Sequence, residues 1–180
     1  MTTTRYTFVA LGLHWLLAIM IVASFGVGTY MVDMQMSPSR LKLFNYHKWA
    51  GVTILALSAA RLLWRLSHRA PPLPDTMPGW QRMASHATHM ALYGLFFAVP
   101  LLGWAYSSAA GFPIVWMGLV PLPDFVGKDR ELAELIKPFH GLAAWLLASF
   151  VVLHVAAALK HHFIDKDGVL ARMLPFLNRR

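Results

Sequence analysis

Four long apolar runs decide what this chain can fold into. A helix needs roughly 20 mostly apolar residues to cross about 30 Å of hydrocarbon. Runs of that kind extend from Phe8 to Val32, from about Tyr46 to Leu66, from about Met83 to Tyr106 and from about Phe139 to Phe163. Of the 180 residues, 57% are hydrophobic and 13% charged, and a soluble domain of this size could not hide so much apolar surface. The expected fold is therefore all-α: an integral membrane four-helix bundle, a single domain over residues 1–180. Pro100 falls inside the third run, where neighbouring helices can satisfy the carbonyl it frees. The first run is longer than a signal-peptide core and no small-residue cleavage site follows it, so it reads as a retained span.

The formal charge of +8 would suit nucleic acid if the cations were clustered, but they sit at the ends of the apolar runs. That placement is membrane topology, and nucleic acid is not expected as a partner. Arg5, Arg61, Arg65, Arg69, Arg82, Lys160, Lys166, Arg172, Arg179 and Arg180 fall on one side, against Arg40, Lys42, Lys48, Lys128, Arg130 and Lys137 on the other. The excess places both termini of a multi-pass protein in the cytoplasm. The loop over residues 107–137 then lies outside, and its DRELAELIK stretch (Asp129–Lys137) is expected to form a short amphipathic helix over the bundle mouth. The Pro-rich loop Ala70–Gly79 lies inside, and the basic tail, residues 164–180, rests on the inner surface. The tryptophans near span ends suit an interfacial belt.

Cysteine is absent, which excludes iron–sulfur clusters and thiolate zinc sites. The nine histidines are the conspicuous polar feature, since ionisable groups within spans are costly and usually functional. His140 and His154 are fourteen residues apart on the fourth helix. That spacing returns within about 40° of one face and separates them by about 21 Å along the axis. Depth supplies partners: His47 begins the second helix at the outer surface, and His14 lies about two turns into the first from the inner surface. Two pairs follow, His47 with His140 outside and His14 with His154 inside, each able to hold one haem iron from both faces. A tetrahedral zinc needs more than two nitrogens per layer, and the layers are too far apart to share one ion.

Gly51 and Gly141 offer room for a flat macrocycle, although glycine also serves helix packing. His86 and His89 share a face at the start of the third helix. They can replace His14 or His154 as ligands, or line an inner pocket as donors and proton carriers. His68, His161 and His162 read as interfacial.

The motifs LHW (Leu13–Trp15), HKWAG (His47–Gly51), RLLWRL (Arg61–Leu66), SHATHMALY (Ser85–Tyr93), FHG (Phe139–Gly141) and LHVAAALKHHF (Leu153–Phe163) occur in the order seen in one group of proteins. The chain resembles the bacterial cytochrome b-561 family of small dihaem membrane proteins over nearly its whole length. The resemblance implies two haem b groups on His14, His47, His140 and His154. Within the family it is similar to members that oxidise superoxide at the periplasmic face and pass the electrons to ubiquinone.

On that resemblance, Lys48 and Lys137 beside the outer pair can attract superoxide, or else neutralise haem propionates. Arg61 and Arg65 can pair with propionates, or simply anchor the inner end of the second helix. Ser85, His86 and His89 are the candidates for a quinone site. No nucleophile or general acid–base set is required, since the cofactor carries the chemistry. An electron-transfer subunit serving a periplasmic hydrogenase or dehydrogenase is the alternative, and a transport or structural protein without cofactor is a third reading.

Overall fold

The computed structural model describes residues 5–178, so Arg179 and Arg180 of the charge count lie outside the described residues. Four long helices make up the body: α1 (Phe8–Val32), α2 (Pro38–Ser67), α3 (Gly79–Ala109) and α4 (Arg130–Lys160). All four are long and apolar enough to cross a membrane.

Local chemistry explains where they start. Thr7 caps α1 by accepting the Ala10 N–H at 3.2 Å, and Ser37 caps α2 by accepting that of Arg40 at 3.2 Å. Pro38 follows at the first helical position, where its missing N–H costs nothing. The Asp129 carboxylate accepts the N–H groups of Glu131 and Leu132 at 2.9 and 3.1 Å, which starts α4.

That cap changes the reading of the Asp129–Lys137 stretch. It is no separate helix over the mouth but the first turns of α4, which continue without a break through Pro138. Proline at that position removes a single helical N–H, and the helix projects beyond the apolar run instead of stopping there. The α2 helix likewise begins eight residues ahead of Tyr46.

After α4 comes one π-helical turn (His161–Asp165), then the short helix α5 (Val169–Met173). Lys166 and Gly168 adopt the left-handed conformation between them, which turns the chain back under the bundle. The Trp15 indole donates to Met173 O at 3.0 Å, and the Arg172 guanidinium donates to Pro72 O. The tail therefore closes over the end that carries both termini.

Around the bundle α1 packs on α2, α2 on α3 and α3 on α4, while α1 and α4 approach closely over only a short stretch. The buried core is Leu17, Ile21, Ile54, Leu92, Phe96 and Leu147, drawn from all four helices. Large apolar side chains such as Phe8, Ile19, Val22 and Val152 face outward. Exposed to water such a surface would aggregate; lipid is its proper solvent. At the end opposite the termini, a two-stranded hairpin, β1 (Val115–Trp116) and β2 (Val120–Pro121), lies against α2.

Candidate functional site

Two histidine pairs cross the interior, and α4 contributes to both. The His47 and His140 ring centres are 6.2 Å apart, and those of His14 and His154 are also 6.2 Å apart. The fourteen-residue spacing on α4 separates the two layers by about 21 Å. Leu17, Ile21, Ile54 and their neighbours form the apolar core.

The distance is informative. A metal–imidazole bond of about 2.0–2.1 Å, with about 1.1 Å more to each ring centre, would set two imidazoles on opposite sides of one metal about 6.2–6.4 Å apart. Both pairs meet that requirement. His89 also reaches the second layer, but its ring centre lies 5.3 Å from that of His154, too short for a shared iron.

In the first layer the imidazoles are aimed by the backbone. His140 Nδ1 donates to Val99 O at 3.0 Å, and His47 Nδ1 donates to Ser24 O at 3.1 Å, with Ser24 Oγ 3.2 Å away. A carbonyl can only accept, so Nδ1 carries the proton and Nε2 keeps its lone pair for a metal. Each ring lies on a glycine four residues after the accepting carbonyl. A Cβ on Gly28 would stand 3.1 Å from His47 Cε1, and one on Gly103 would stand 3.0 Å from His140 Cε1. Proximity of this kind needs hydrogen in place of a side chain.

The second layer is less constrained. His14 Nδ1 is buried and lacks a hydrogen-bond partner among the described residues. Ser85 Oγ lies 3.5 Å from His89 Nδ1, a long contact, and His86 is exposed to one side of this group. Of the three residues considered for a quinone, Ser85 and His89 come together near His154, whereas His86 faces outward. The Arg61 guanidinium lies over the Tyr93 ring, 5.6 Å from its centre, and Arg65 is exposed.

The two lysines near the first layer differ in kind. The Lys48 ammonium donates to Phe112 O and Pro113 O at 3.4 and 3.3 Å, so it holds the loop after α3. Lys137 is exposed on α4, three residues before His140, with no ion-pair partner among the described residues. His161 is not merely interfacial: its Nδ1 meets Asp167 Oδ2 at 2.6 Å and Asp165 Oδ2 at 3.1 Å. His68 stacks flat on Trp64 with ring centres 3.9 Å apart, and His162 packs on Phe163.

A Cβ on Gly51 would lie 4.0 Å from Pro100 Cβ, an ordinary helix-packing contact, and Gly141 adjoins His140. Gly28 and Gly103 are the glycines on which the two imidazoles rest, and the need of each buried imidazole for a second partner points to them.

The family model for prokaryotic cytochrome b561 matches residues 5–176. Cytochrome b561 homolog 2 of Escherichia coli (strain K12) is 36% identical over 175 residues, covering 96% of this chain and 93% of that protein. A Yersinia pestis chain described as probable superoxide oxidase CybB is 30% identical over 179 residues, 95% of this chain and 96% of its own. Cytochrome b561 homolog 1 of E. coli is 30% identical over 175 residues, 95% and 97% of the two chains.

Proposed function

This chain belongs to the prokaryotic cytochrome b561 family, whose work is electron transfer in a membrane, and from that premise we propose that it oxidises superoxide and reduces ubiquinone. The observation that supports haem binding is the equal 6.2 Å separation in both histidine pairs, at which two imidazoles could share one iron. The likeness to the Yersinia pestis chain supports the choice of substrate.

Bound haem b supplies reversible one-electron chemistry. His47 and His140 would hold the iron of one group and His14 and His154 that of the other, with the two layers strung along α4. The first layer lies at the periplasmic face of the inner membrane and the termini lie in the cytoplasm. Lys137, exposed and with no ion-pair partner among the described residues, draws the superoxide anion toward the first layer. Lys48 serves the same face by fixing the loop beside His47.

Two superoxide anions each lose one electron and leave as dioxygen. At the other face the two electrons, with two protons taken from the cytoplasm, convert ubiquinone to ubiquinol. Ser85 and His89 are the groups that hydrogen-bond the quinone, and exposed His86 passes protons from water. Arg61 and Arg65 balance the propionates of the second group.

The test uses purified protein in ubiquinone-loaded liposomes supplied with enzymatically generated superoxide. Ubiquinol should form without any partner protein. Superoxide decay no faster than spontaneous dismutation would remove the activity while leaving the haem assignment standing. A reduced-minus-oxidised spectrum without b-type bands would remove both.

A further inference from the structure

The segment after α3 contains a stretch that water does not explain. Residues 111–122, GFPIVWMGLVPL, hold no charged side chain and form the hairpin β1–β2. Phe112, Met117, Val120 and above all Leu119, which is 82% exposed, point away from the protein.

Its attachment to α2 fixes both side and depth. The Trp49 indole donates to Val115 O at 2.6 Å, and the Trp116 indole donates to Thr53 Oγ1 at 3.1 Å. At 100° per residue, Trp49 and Thr53 lie about 200° and 240° around α2 from His47, on the face turned away from the interior. The buried residues Ile54 and Ser58 lie on the His47 side instead. The hairpin is therefore not a cover over the bundle mouth but a flap on the outer flank of α2.

Its direction is inward. Successive hairpin residues meet Lys48, then Trp49, then Thr53, so the strand descends along α2 toward the membrane centre. Thr53 is six residues past His47, about 9 Å deeper. The turn at Met117 and Gly118, both left-handed, follows Trp116 directly in the chain.

Backbone at such depth must satisfy its own polar groups. Gly118 N–H donates to Val115 O, Leu119 N–H to Trp116 O and Leu122 N–H to Ile114 O, at 2.9–3.1 Å. Pro113 and Pro121 have no N–H to satisfy.

We propose that residues 112–122 form a membrane-inserted hairpin, whose Met117–Leu119 tip is seated in lipid on the flank of α2, in the leaflet opposite the termini. The occupant of its apolar face is lipid, because that face continues the lipid-facing surface of the span and reaches the depth of the headgroup–acyl boundary, about 5–10 Å. The hairpin then anchors the loop held by Lys48.

The chain has no native cysteine, so single replacements give clean labels. Met117→Cys, Leu119→Cys and, as an aqueous reference, Gly127→Cys would each carry a bimane fluorophore in the haem-loaded protein in liposomes. All three positions are exposed, and an unchanged b-type absorption spectrum reports an intact fold. Labels at 117 and 119 should be quenched by nitroxide-bearing lipid, with iodide quenching at least about fivefold weaker than at 127. Iodide quenching equal to that at 127 would overturn the proposal. So would protection in native membrane vesicles that disappears in liposomes of the purified protein, because a protein partner would then be the cover.

Discussion

His140 hangs from Val99: its Nδ1 lies 3.0 Å from that carbonyl oxygen, and the ring rests on Gly103 one helical turn later. Val99 and Gly103 belong to α3, so the imidazole of α4 is oriented by a neighbouring helix and not by its own. The same construction recurs with Ser24, Gly28 and His47. An imidazole fixed in this way keeps one tautomer and one direction.

Gly103→Ala is therefore expected to disturb the first layer alone. The new Cβ would meet Cε1 at 3.0 Å and Nδ1 at 3.2 Å, atoms of a rigid ring already tied at its other side. Gly28→Ala should act similarly on His47. Pyridine haemochrome titration checks this: the haem-to-protein ratio should fall toward one for both variants.

The second layer separates ligand from neighbour. His14→Ala should remove its haem and spare the other, because among the described residues His14 is the histidine 6.2 Å from His154. His89→Ala, at 5.3 Å, should retain both haems. The unanchored His14 Nδ1 has a further consequence. Lacking an outer partner weakens a metal ligand roughly 10–100-fold, so the second-layer haem should dissociate first on heating. Spectra of partly heated samples would reveal the order.

Depth was legible in the sequence because an α-helix rises by a fixed amount per residue. His14, His47, His140 and His154 could thus be sorted into layers before any contact was known. The azimuth of one helix against another is not encoded locally, so Val99 and Gly103 could not be matched to His140. Helix ends were partly legible: Thr7 precedes the first apolar run directly, while Ser37–Pro38 and Asp129 start helices well outside theirs. Pro138 reads as a boundary but lies within α4. The hairpin was hidden because its meaning depends on Trp116 reaching Thr53, a contact across 63 residues.

Asp129 tests whether the projecting turns of α4 depend on their cap. Its carboxylate satisfies two N–H groups and carries negative charge at the positive end of the helix. Asp129→Ala should destabilise the fold by about 1 kcal/mol, and Asp129→Asn should recover most of that loss. Thermal unfolding in detergent would measure it. Both haems should remain, since His140 lies eleven residues further along.

Lys48 and Lys137 should respond differently to loss of charge. Lys137 is free in water beside the first layer, so Lys137→Gln removes attraction for superoxide and little else. The second-order rate of superoxide oxidation should fall a few-fold at low ionic strength, and the deficit should shrink as salt screens the remaining field. Lys48 spends its ammonium on Phe112 O and Pro113 O. Lys48→Gln can still donate to one of these carbonyls, whereas Lys48→Met cannot. If Lys48 acts through the loop, Lys48→Gln should stay close to the parent rate, Lys48→Met should lose activity, and salt should not restore it. Stopped-flow rates over a series of ionic strengths distinguish the two roles, and equal salt dependence in Lys48→Met and Lys137→Gln would assign both lysines to attraction.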